Sequence, residues 1–140
     1  MPRISLHALL VAFCLEILVD LLFGQLIFAM FAGERLVADM SQEEVLAVAK
    51  VVIDTTPYLP VLFVFGSLTT VAGAYLAARL ARRIPYYHGL GMGIIGLLYG
   101  LVFWSREVIW LDYIGMLMTI PLSLLGAHLA RKRMLELEIL

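Results

Sequence analysis

An apolar run from about Ile4 to Phe31 is interrupted by only two charged residues, Glu16 and Asp20. It exceeds the roughly 20 helical residues needed to cross a hydrocarbon core of about 30 Å. Three more such runs follow, at about 57–80, 86–104 and 108–130. In a chain of 140 residues this layout leaves little material for a domain outside lipid. The composition agrees, with 63% hydrophobic and 15% charged residues, where soluble proteins hold roughly half and about a quarter. The expected fold class is all-α: one transmembrane domain over residues 1–140, folded as a four-helix bundle.

Between the first two runs lies the most polar stretch, Glu34 to Asp54. Ser41 followed by Glu44 is the spacing of a capping box. Val45, Val48, Ala49, Val52 and Ile53 then recur at helical intervals, so the spacing predicts a short amphipathic helix over about 42–54, lying on the membrane surface or on the bundle. Pro57 and Pro60 suit the start of the second span, where a missing N–H costs little. Pro121 falls inside the fourth and predicts a kink. Met1-Pro2-Arg3 leads directly into the first run without a small-x-small cleavage site, as in an uncleaved span. Cys14 is the only cysteine, which excludes an intramolecular disulfide and a CxxC motif.

The basic residues set the orientation. With four spans, Arg3, Arg79, Arg82, Arg83, Arg131, Lys132 and Arg133 share one side, and Arg35, Lys50 and Arg106 the other. That asymmetry places both termini in the cytoplasm and argues against dual topology. Trp104, Trp110 and Tyr113 at one end, with Tyr86 and Tyr87 at the other, form the expected aromatic belts. A formal net charge of -1 excludes the general basic surface that nucleic-acid binding requires.

Glu16 and Asp20 are the sharpest chemical signal. A carboxylate near the bilayer centre costs at least about 2.5 kcal/mol on insertion scales and has to face protein or water. Their spacing of four puts them on one helix face, which Gly24 extends as a place for close helix approach. Two carboxylates so close in a low dielectric do not both ionise readily unless a cation is bound. Counting inward from the basic ends, Thr69, Thr70, Tyr99, Thr119 and Ser123 fall at similar depth and are candidates to complete a polar centre. Two readings stay open: a proton or cation site, or a packing and partner-docking site.

His7, His88 and His128 all fall near the basic side, one on each of three spans, so a metal or haem is a minor alternative. Histidines are also tolerated at membrane interfaces, and none has a ligand spacing within one helix. Gly89, Gly93, Gly96 and Gly100 make successive GxxxG patterns on the third span, suited to close packing inside the bundle or across an oligomer. Arg79, Arg82 and Arg83 are first a topology signal and second a candidate site for anionic lipid headgroups. Gly73-Ala74-Tyr75-Leu76-Ala77-Ala78-Arg79 and Gly126-Ala127-His128-Leu129-Ala130-Arg131 echo one another, each closing a hairpin. Such an echo fits either duplicated hairpins or the ordinary composition of helix ends.

The stretch Gly73 to Arg82, followed by His88-Gly89 and a glycine-rich span, resembles the hairpin of small four-helix bacterial membrane proteins, which implies a bacterial inner membrane. Four helices, an embedded Glu16 on the first and a glycine-rich third are also similar to small multidrug resistance transporters. That likeness is architectural, since the charge asymmetry, the longer first loop and Asp20 depart from the pattern. The function expected first is an accessory or assembly subunit, or a homo-oligomer, whose partners are membrane lipid and other membrane helices. The alternative is proton- or cation-coupled transport of a small solute through Glu16 and Asp20. An enzyme is not expected: the sequence has no metal-ligand motif, no Ser-His-Asp candidate at a common depth and no phosphate-binding loop.

Overall fold

The structure, a computed structural model, describes residues 4–102 and 110–138. These residues form α1 (Leu6–Ala32), a single 3-10 turn (Gly33–Arg35), α2 (Gln42–Thr55), α3 (Tyr58–Ala81), α4 (Pro85–Val102) and α5 (Trp110–Glu138). Among the described residues there is no strand. Trp104, Arg106 and Glu107, the end of the third apolar run and the start of the fourth lie outside the described residues, as does Arg3.

Each helix begins and ends for a local reason. Ser5 caps α1 by accepting from the Ala8 N–H at 3.3 Å. At its far end Gly33, at φ 54°, closes the helix with its N–H on Ala29 O, a backbone turn that disfavours a side chain. The capping box of α2 forms as the spacing predicts, with Glu44 N–H on Ser41 Oγ and the Glu44 carboxylate accepting from Ser41 N–H at 2.7 Å. Arg82 ends α3 in the left-handed region, its N–H on Ala78 O. Ile84, two residues later, is also at positive φ, 42°, which costs a β-branched residue about 1–2 kcal/mol. The turn is therefore held by its surroundings and not by local preference.

One boundary differs from the sequence expectation. The fourth apolar run ends near Ala130, but α5 continues to Glu138. Arg131-Lys132-Arg133-Met134-Leu135 are all good helix formers, and a run of charge ends a hydrophobic span without ending a helix.

α3 is the hub, packing against α1, α4 and α5, whereas α1 meets α4 over a short stretch only. The contacts of α3 with α5 rest on very small residues. Ala78, Ala127 and Ala130 form one buried cluster, and Gly126 lies directly on the α3 backbone at Val71 and Tyr75. The two echoing segments are thus packed against each other. A second cluster, Leu9, Ala12, Ala74, Ala77 and Met92, joins α1, α3 and α4.

Among the described residues three helices, Leu6–Arg35 with its 3-10 turn, Tyr58–Ala81 and Leu111–Leu137, are long and apolar enough to cross a membrane. The chain reads as a helical membrane protein on that ground. Their large exposed apolar side chains, such as Leu18, Leu22, Leu68 and Leu117, are then the surface that lipid covers.

Candidate functional site

Glu16 and Asp20 project from the middle of α1 onto the middle of α3, as their spacing of four requires. The Thr69 hydroxyl stands 2.6 Å from Asp20 Oδ1 and 2.9 Å from Gly66 O. Thr70, the next hydroxyl on α3, serves Glu16. A threonine in a helix can always return its proton to a carbonyl one turn back, so these side chains are satisfied whether or not a carboxylate is present.

The Glu16 carboxylate lies against Gly73. A β-carbon at position 73 would come within 2.9 Å of Glu16 Cδ, so the acid occupies space left by the missing side chain. A cleft of about 120 Å³ opens here between the helices. Glu16, Thr69 and Gly73 line it together with Ala12, Leu15, Val19, Ala72 and Leu76, and its surface is almost wholly apolar. Leu15 and Ala72 at the mouth are exposed, so the cleft opens sideways, away from the centre of the bundle. No Arg, Lys or His lines it. Among the described residues the ion pair present is Arg133 with Glu136, and neither carboxylate of α1 takes part in one.

This arrangement brings together four of the expected polar residues, Glu16, Asp20, Thr69 and Thr70. Tyr99 meets the edge of Phe13, ring centroids 5.7 Å apart. The hydroxyls of Thr119 and Ser123 bond within α5 instead, Thr119 Oγ1 donating to Gly115 O and Ser123 Oγ to Thr119 O, both at 2.8 Å. The reason is azimuth: α3 stands between α1 and α5, so the hydroxyls of α5 turn to α4. Gly73, absent from the expected site, is the residue that seats Glu16. Its sequence signal is its position one turn from Thr69 and Thr70, on the face opposite the carboxylates.

The glycines of α4 are taken up inside the chain. Positions 89, 93, 96 and 100 face Ala127, Ile120, Thr119 and Met116 of α5 in turn. Gly24 meets Leu62 at an ordinary van der Waals distance. Any docking surface for another chain therefore lies elsewhere than the glycine face of α4.

The three histidines share one end of the bundle but not one site. His88 is fully buried, accepting the Ser5 N–H on Nε2 at 3.0 Å and donating from Nδ1 to Ile84 O at 3.2 Å. Both ring nitrogens are thereby engaged, leaving no lone pair for a metal. His128 pairs with the Tyr86 hydroxyl, and His7 is exposed. Among the described residues no group of three His, Cys, Asp or Glu side chains converges to hold a metal ion. Arg79 is half-buried, and Arg82 and Arg83 are exposed at the same end.

In comparisons with known proteins, no family model, no curated protein and no solved structure matches the chain.

Proposed function

We propose that the chain is a four-span membrane protein and that it works as a subunit, docking another membrane helix at the cleft between α1 and α3. Support for the fourth span is topological. Ala78 of α3 packs on Ala127 and Ala130 of α5, so both helices finish at the basic end of the bundle. The chain between them has to return to the opposite end, and α4, about 27 Å long at about 1.5 Å per residue, is the return. The basic residues at that end favour its placement in the cytoplasm. A bacterial inner membrane is the setting that the resemblance to small four-helix proteins implies.

The observation that carries the docking proposal is the sideways opening of an apolar cleft that has Glu16 and Thr69 in its lining and no basic partner. A carboxylate facing lipid through such an opening is costly. A donor from another chain offsets that cost, as interhelical hydrogen bonds do in membranes. A symmetric dimer through this face would set Glu16 against its own copy, so the partner is a different chain or a different face of the same one.

The test is cysteine cross-linking in native membranes from Leu15→Cys and Ala72→Cys, in a Cys14→Ala background. A defined cross-linked species that disappears on adding Glu16→Gln and Asp20→Asn is the expected result. Adducts with lipid alone, unchanged by those substitutions, would defeat the proposal.

One observation favours the alternative of proton or cation exchange. The Thr69 hydroxyl has a single proton and two acceptors within reach, Asp20 and Gly66 O. It donates to Asp20 when that group is charged, and to Gly66 O while accepting from Asp20 when it is neutral. Both states are satisfied without moving a helix. Proton release on addition of a solute to liposomes, abolished by Asp20→Asn, is the result that separates this alternative from docking.

A further inference from the structure

At the basic end, Arg79, Arg82, Arg83, Arg131, Lys132 and Arg133 are gathered, and among the described residues only Arg133 has a carboxylate, that of Glu136 at 3.2 Å. Arg131 is held differently. Its guanidinium carbon stands 5.6 Å from the centroid of the Tyr86 ring, a cation–π contact that fixes the group at the rim between α4 and α5 without neutralising it. The Tyr86 hydroxyl lies 2.9 Å from His128 Nδ1. With Tyr86 donating, the neutral imidazole keeps its proton on Nε2. His128 and Arg131, three residues apart, share a helix face. All three side chains are exposed. One turn deeper, Leu90 follows Tyr86 on α4 and Leu125 precedes His128 on α5, both exposed.

We propose that Tyr86, His128 and Arg131 form a headgroup site for an anionic phospholipid. The phosphate is taken by the guanidinium of Arg131 and the Nε2–H of His128, and the acyl chains lie along Leu90 and Leu125. The planar fork of arginine matches two phosphate oxygens at once. The leucines distinguish a lipid from free phosphate, because a headgroup site at a membrane surface continues into an apolar path. This inference rests on the membrane reading and is independent of the Glu16 cleft.

The test is native mass spectrometry of the full chain in detergent, with phosphatidylglycerol and phosphatidylcholine supplied in equal amounts. The native chain is expected to retain phosphatidylglycerol about fivefold over phosphatidylcholine, the preference one basic group near a membrane surface confers. Arg131→Gln and His128→Leu each bring the ratio towards one, and Tyr86→Phe, which keeps the ring under Arg131 but releases His128, lowers it part way. Arg133→Gln and Glu16→Gln leave it unchanged. Equal retention of the two lipids by the native chain, or an unaltered ratio in Arg131→Gln, overturns the site. Displacement of the lipid by millimolar inorganic phosphate overturns its assignment to a phospholipid. Recovery of the chain in the aqueous fraction without detergent overturns the membrane reading with it.

Discussion

The carboxylate of Glu16 sits over Gly73, its Cδ only 2.9 Å from where a β-carbon on residue 73 would stand. Acid and glycine are therefore one unit: the cleft is shaped for a carboxylate because one residue of α3 has no side chain. Gly73→Ala should force Glu16 aside and destabilise the bundle by about 1–3 kcal/mol, as overpacking does. In the background of Glu16→Ala the same substitution should cost much less. A double-mutant cycle on detergent-solubilised protein measures that coupling, and additive effects would show that the contact carries no energy.

The close helix contacts rank in a way that thermal unfolding can check. A β-carbon at Gly126 meets the backbone of α3, which cannot move aside, whereas one at Gly100 meets only the flexible end of Met116 at 3.5 Å. Gly126→Ala should thus be the more damaging substitution, with a loss of about 1–3 kcal/mol, and Gly100→Ala close to neutral. The reverse order would mean that α5 packs on α4 more tightly than on α3.

His88 staples the start of α1 to the turn before α4. His88→Leu removes both hydrogen bonds; Ile84 O keeps those from the Tyr87 and His88 N–H groups, whereas the Ser5 N–H loses its partner, a loss of about 1–3 kcal/mol if it stays buried. Hydrogen exchange should then quicken in residues 5–9 and leave the amides of the α3–α5 contact protected. Uniform quickening would mark His88 as a global core residue and not a staple.

The cap of α2 carries a pH dependence. The Ser41 N–H, and after it the Ser41 hydroxyl, hold the Glu44 carboxyl below its ordinary value of 4.5. A carboxyl lowered in the folded state contributes stability above its unfolded value and loses it as pH falls through the folded one. Amide exchange in α2 should therefore accelerate as pH drops below 4.5, after correction for the intrinsic rate. Glu44→Gln should remove that acid dependence, and an α2 that remains equally protected in both forms would refute the cap's role.

The lengthwise organisation was legible in the sequence, the angular organisation was not. Apolar run lengths, prolines and the Ser41–Glu44 spacing located every helix start that lies among the described residues to within a few residues, because those signals are local. Depth counted from the helix ends puts Thr69 and Thr70 level with Glu16 and Asp20, and the structure sets Thr69 against Asp20 and Thr70 against Glu16. The same count also admits Thr119 and Ser123, whose hydroxyls bond within α5. Which way a helix turns depends on the helices around it, and in lipid a polar face no longer marks the outside. Gly126 was hidden for the same reason, since a single glycine announces close contact only once its partner is known. The end of α5 at Glu138 lies beyond the apolar run because hydropathy marks where a span leaves lipid and not where its helix stops.

The position of α1 has a mechanical corollary. It is fastened near one end by Ser5 on His88 and at the other by Phe28 and Phe31 against Tyr58. The acidic stretch lies between these fixings, away from the tight alanine and glycine seam of α3 with α5. Parting α1 from α3 at the acids would therefore also have to undo the Phe23–Phe65 stack and the Leu9, Ala12, Ala74 and Ala77 cluster.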